Sequence, residues 1–136
     1  MTYEEIKRII TACQSSELDL SDCSLTDDDV VKMVSIINQQ RNITSINFSY
    51  NNLSSGVFVS LLQLEYVTGL NLADNNICNI DQLLMASTKF SAINLRSNNI
   101  PSANIESFLK SNNALNRFAR LGFEGNPGWP INNNKV

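Results

Sequence analysis

The sequence predicts an α/β solenoid, a single domain over residues 1–136 in which about five repeats each give one short strand to a parallel sheet. Three observations predict it. One frame recurs along the chain, as ITSINFSYNNL (43–53), VTGLNLADNNI (67–77), FSAINLRSNNI (90–100), the looser FARLGFEGNPG (118–128) and, with cysteine in the asparagine slot, SSELDLSDCSL (15–25). Equivalent positions Leu18, Ile46, Leu70, Ile93 and Leu121 fall 28, 24, 23 and 28 residues apart, the period of stacked repeat units. Between the frames lie stretches whose apolar residues recur at helical spacing.

The elements follow in order. Thr2-Tyr3-Glu4-Glu5 has capping-box form, and Ile6, Ile9, Ile10 and Cys13 make one apolar side, so residues 1–14 read as an N-terminal capping helix. Residues 15–128 hold the repeats. In Leu70-Asn71-Leu72 an apolar residue alternates with a polar one, which points Leu70 and Leu72 inward and Asn71 outward on a strand. The asparagine that follows each strand (Asn51, Asn75, Asn98, Asn126) sits where the chain turns away. An amide there both donates to and accepts from the backbone of adjacent turns, groups that would otherwise be orphaned at about 1–3 kcal/mol each. Cys23 fills this slot in the first repeat as a small, weakly hydrogen-bonding side chain, with no nucleophilic role.

Residues 26–41 predict an amphipathic helix with Val30, Met33, Val34 and Ile37 on its face and an acidic first turn. Shorter faces follow in Val57, Val59, Leu61 and Leu62; in Leu83, Leu84 and Met85; and in Ile105, Phe108 and Leu109, the last begun by Pro101 and Ser102. A solenoid needs closed ends. Residues 129–136 read as a C-terminal cap and tail in which Trp129 either covers the open core or stands exposed as a partner anchor.

The five frames resemble the leucine-rich repeat, LxxLxLxxN/CxL, and cover nearly the whole chain. The longer units are similar to the ribonuclease-inhibitor-like class and the shorter ones to other classes, so the resemblance implies a mixed solenoid with the parallel sheet on its concave face and helices on its convex face. It also implies a non-catalytic protein-protein interaction module that binds through the concave strands. Family analogy adds two settings, a cytosolic adaptor or an effector delivered by a bacterium. The expected compartment is thus the cytoplasm, or the host cell cytosol for an effector. The alternative is a structural or self-assembling unit, or a fragment of a longer repeat protein.

Composition narrows the chemistry independently. There is no histidine among the 136 residues, which removes the usual proton shuttle near neutral pH and the commonest metal ligand. Cys13, Cys23 and Cys78 are odd in number and form no CxxC pair, the pattern of reduced thiols inside a cell. A net charge of −3 and a pI near 4.8 offer no positive field for nucleic acid. The start, MTYEEIKRII, lacks a secretory signal, and no 18-residue apolar run predicts a membrane span. Carboxylates Asp19, Asp22 and Asp74 could serve an enzyme, but no metal motif, phosphate loop or nucleophile elbow accompanies them. No catalytic residue, metal or cofactor is expected; the expected partner is another protein, met by a monomer.

Outward-pointing positions then define the candidate binding face. The middle column reads Asp19, Asn47, Asn71, Asn94, Gly122; the next Ser21, Ser49, Ala73, Arg96, Glu124; the third Asp22, Tyr50, Asp74, Ser97, Gly125. Asn47, Asn71 and Asn94 stack about 4.8 Å apart and form either a polar ladder, a solvated column or a contact with a partner's backbone. Tyr50 is the large side chain of these columns, placed between Asp22 and Asp74 and near Arg96, the composition of a binding hot spot or a plain surface tyrosine. Charge is lopsided: residues 1–68 carry 9 acids and 4 bases, residues 69–136 carry 4 acids and 6 bases. Arg96, Arg117 and Arg120 gather at one end, and such a surface orients a partner more than it tightens binding. The candidate partner-binding residues are therefore Asp19, Asp22, Asn47, Tyr50, Asn71, Asp74, Asn94 and Arg96.

Overall fold

The computed structural model describes residues 1–86, 89–111 and 119–131. Its elements run α1 (Tyr3–Ala12), β1 (Glu17–Asp19), α2 (Asp27–Asn38), β2 (Ser45–Asn47), α3 (Val57–Leu61), β3 (Gly69–Asn71), a 3-10 helix (Asp81–Ala86), β4 (Ala92–Asn94), α4 (Ser102–Lys110) and β5 (Arg120–Gly122). The five strands form one parallel sheet in chain order, with Leu18, Ile46, Leu70, Ile93 and Leu121 in register. Arg117, the Phe118 that opens the fifth frame, and the 132–136 tail lie outside the described residues.

Repeat length decides what forms behind each strand. The 28-residue unit between β1 and β2 has room for the twelve-residue α2, whereas the 24-residue unit that follows holds only the five-residue α3. In the 23-residue unit the chain tightens into a 3-10 helix, which suits short spans. The predicted helical face of Leu83, Leu84 and Met85 is therefore a 3-10 turn; Leu83 is buried and Leu84 half-buried.

The core is a set of stacked apolar columns between sheet and helices. Leu20, Phe48, Leu72, Leu95 and Phe123 line up one behind the other, as do Leu25, Leu53, Ile77 and Ile100. Two predicted faces need correction. In α2 the buried set is Val30, Met33, Ile36 and Ile37, with Val34 only partly covered. In α3, Val59 is 60% exposed and Phe58 is buried in its place, because a helix of barely more than one turn presents Val57, Phe58 and Leu61 to the core.

At the front, Glu5 donates its N–H to Thr2 Oγ1 at 3.2 Å and accepts the Thr2 N–H at 3.3 Å, closing the predicted capping box. Ile6 and Ile10 pack inward while Ile9, expected on the same face, stands exposed. At the far end Trp129 is half-buried and lies 5.5 Å, ring centroid to centroid, from Phe123, which meets Phe108 edge-on at 6.4 Å.

The four turn asparagines are buried and fully engaged. Asn75 donates to the carbonyls of Phe48 and Leu72 at 3.1 and 3.2 Å and accepts the Leu53 N–H at 2.9 Å, so one amide ties its own frame to the preceding one at two points. Asn51, Asn98 and Asn126 repeat this arrangement one repeat at a time. In the first frame the Cys23 N–H reaches Asn51 Oδ1 at 3.1 Å. A second set of amides stitches the convex side. Asn38 donates to the Gln63 carbonyl and accepts from Glu65 N–H, Asn42 donates to Ser15, and Asn104 accepts from Ile80 N–H. Among the described residues every buried side-chain nitrogen or oxygen has a partner.

Candidate functional site

The outward side of the sheet is a groove of about 550 Å³ that crosses all five strands. Because side chains alternate along a strand, the residues before and after each buried central residue both face it. The column before reads Glu17, Ser45, Gly69, Ala92, Arg120, and the column after reads Asp19, Asn47, Asn71, Asn94, Gly122. Sequence reasoning counted the second column and missed the first. The signal was available in the same alternation, one position upstream of Leu18, Ile46, Leu70, Ile93 and Leu121.

The two columns differ in chemistry. Ser45, Gly69 and Ala92 form a low floor, with charged residues only at its two ends, Glu17 and Arg120. Asn47, Asn71 and Asn94 form a wall beside it. Of the readings open from sequence, the cross-strand ladder does not form: each side-chain oxygen accepts a main-chain N–H two residues on, from Ser49, Ala73 and Arg96, at 3.0 to 3.1 Å. Asp19 does the same with Ser21, whose hydroxyl and N–H hold its carboxyl below the usual carboxylate range. These local turns consume the oxygens and fix the amides in place. Among the described residues no acceptor meets the Nδ2 groups of Asn47, Asn71 and Asn94, which leaves three donors in a row on the groove wall.

Ser49 and Ala73, expected to face outward, are buried, so the next column surfaces only at its ends. There Arg96 Nε sits 2.9 Å from Glu124 Oε2, both side chains more than half exposed. The pair lies over Gly122, where a Cβ would stand 3.3 Å from Arg96 Nε. Arg96 is therefore turned toward the C-terminal end and lines the groove, paired with Glu124 and not grouped with Tyr50. Glu124 is held below the usual range by its own backbone N–H and then by Arg96. Arg120 at the same end has no anionic partner among the described residues.

Asp22, Tyr50 and Asp74 occupy a separate rim. All three have left-handed backbones, with φ of 52°, 58° and 58°, and Ser97 and Gly125 continue the series. This is where the chain leaves the strand and swings toward the convex side. Glycine suits such a position and aspartate tolerates it; a bulky tyrosine does not. Tyr50 is nonetheless 62% exposed, so its ring gains little packing for the conformation it adopts. The structure thus divides the predicted site residues. Asn47, Asn71, Asn94 and Arg96 share the groove, Asp19 lies at its acidic end, and Asp22, Tyr50 and Asp74 form the rim beyond.

Stacked β-turn-helix units, a parallel sheet in chain order and a buried asparagine column define a leucine-rich-repeat fold, and that is the class to which this structure belongs. Its backbone is similar to the leucine-rich-repeat domain of Mex67 from Chaetomium thermophilum, with a TM-score of 0.58 and 15% identity over 98% of this chain and 97% of that one. Likeness at this identity speaks for the fold. No family model and no curated protein matches the sequence. Among the described residues no helix is long and apolar enough to cross a membrane, and no group of three or more Cys, Asp and Glu side chains is placed to hold a metal ion.

Proposed function

We propose that this chain is a non-catalytic recognition module that captures another protein through its concave strand face. Solenoids of this class generally bind proteins there, because the curved sheet offers an extended surface fixed by the stack behind it. The observation that carries the reading is the groove itself: it crosses all five strands and presents hydrogen-bonding groups without internal partners. Tyr50 adds an exposed aromatic on the adjoining rim, held in a conformation with a steric cost, which is a mark of functional placement. Asp19, Asp22 and Asp74 contribute charge that orients the partner. The setting proposed for it is a cytosolic adaptor, or an effector acting in a host cytosol, with the module acting as a monomer.

The test is affinity capture from cell lysate followed by Tyr50→Ala and Arg96→Ala. Both side chains are exposed, so thermal stability should stay close to that of the parent chain. The affinity for the captured protein should fall by about 1–3 kcal/mol. Equal affinity in both variants refutes concave-face capture.

A further inference from the structure

We propose, resting on the concave-face reading, that the groove takes an extended peptide segment laid across the strands, with a basic residue at the β1 end and an acidic residue at the β5 end. Charge placement is the first argument. Glu17 and Arg120 occupy the same column at opposite ends of the sheet, and neither charge has an ion-pair partner among the described residues. Asp19 and Asp22 strengthen the negative end, whereas Arg96 and Glu124 offset each other at the positive end. A partner of complementary polarity is favoured over its reverse, and like charges facing each other would oppose the wrong orientation.

The floor between the charges is the second argument. Ser45, Gly69 and Ala92 are the smallest side chains available, so a main chain can approach the sheet closely along this line. Beside it stand the amide donors of Asn47, Asn71 and Asn94, each with its oxygen already occupied. Donors without acceptors call for a ligand with free carbonyls. An α-helix satisfies its own carbonyls internally, while an extended segment leaves them available.

Length separates the two occupants. Four strand spacings put Glu17 and Arg120 roughly 19 Å apart. An extended chain covers that in about six residues and a helix in about thirteen. The spacing between charges in a bound peptide therefore reports its conformation.

A displayed library of random sixteen-residue peptides, selected on the parent chain and on Glu17→Lys, tests the inference. Ala92→Trp, which fills the groove floor, serves as the blocking variant, and Ser45→Arg replaces it if its melting temperature falls. Selected peptides should pair a Lys or Arg with an Asp or Glu about six positions away and lose binding to the blocked chain. On Glu17→Lys the same peptides should weaken by about tenfold, and fresh selection should put acids at both ends. Blocking-sensitive peptides with no charge pairing, or with charges about thirteen positions apart, overturn the extended-segment inference and leave concave-face capture standing. Peptides indifferent to the blocking variants, or no selected peptide at all, likewise overturn the extended-segment inference, whereas concave-face capture stands or falls on the Tyr50→Ala and Arg96→Ala affinities.

Discussion

Asn75 Oδ1 accepts the Leu53 N–H at 2.9 Å although the two residues belong to different repeats, and both are buried. The same side chain donates backward to Phe48 and within its own frame to Leu72. Cutting this side chain to a methyl group orphans the buried Leu53 N–H and removes the donor shared by the Phe48 and Leu72 carbonyls, which keep the amides of Asn51 and Asn98, and it leaves a cavity between the repeats. Asn75→Ala should therefore cost about 3 kcal/mol, against about 0.5 kcal/mol or less for Asn52→Ala, whose side chain is exposed in the analogous turn. Urea unfolding of the two variants decides it. Equal costs would mean that the amide column is not what holds the repeats in register.

Tyr50 gives the second prediction, because its backbone and its exposure pull against each other. A left-handed φ of 58° costs an ordinary L-residue roughly 1–2 kcal/mol, and asparagine tolerates it better. Tyr50→Asn should then raise stability by about 1 kcal/mol while it weakens partner capture. Stability gained together with binding lost is the signature of a residue kept for function. A variant less stable than the parent would show instead that the ring is a structural support.

How much of this was legible in the sequence depends on what each residue's neighbours encode. Strand register and the column Asn51, Asn75, Asn98 and Asn126 follow from fixed spacing, because a repeat stacks each position on its equivalent. The convex side follows from local length, and there the reading slipped. Val59 sat at apolar spacing with Val57, but α3 is too short to bring it round to the core, and Phe58 is buried instead. The lopsided charge was legible, with Arg120 already among the bases at one end, but Glu17 and Arg120 were not assigned to the groove because only positions after the buried strand residue were counted and both stand one place before it. Arg96 and Glu124 occupied the same column in adjacent repeats, which would have announced their pairing. The stitching by Asn38, Asn42 and Asn104 had no comparable signal, since a loop asparagine looks alike whether it bonds across repeats or faces water.

Acid stability supplies the last prediction. Glu5 is held below its ordinary value of 4.5 by the Thr2 hydroxyl and then the Thr2 N–H, and Asp19 below its value of 3.8 by the Ser21 hydroxyl and N–H. Glu124 is depressed as well, by its own N–H and by Arg96. A carboxyl whose folded pKa lies below its unfolded one binds fewer protons in the folded state. Its stabilising contribution is thus complete above the unfolded value and is lost as pH falls through the folded value. No histidine is present to add a step between pH 6 and 7. Stability should accordingly stay level from neutrality to about pH 5 and decline only below about pH 4.5. The decline should be shallower in a chain carrying Glu5→Gln, Asp19→Asn and Glu124→Gln, because those three groups no longer titrate. Urea midpoints measured for both chains at neutral pH, at pH 4 and at pH 3 check the sign. A decline that begins above pH 5, or one that the three substitutions leave unchanged, would mean that other carboxylates govern the acid response.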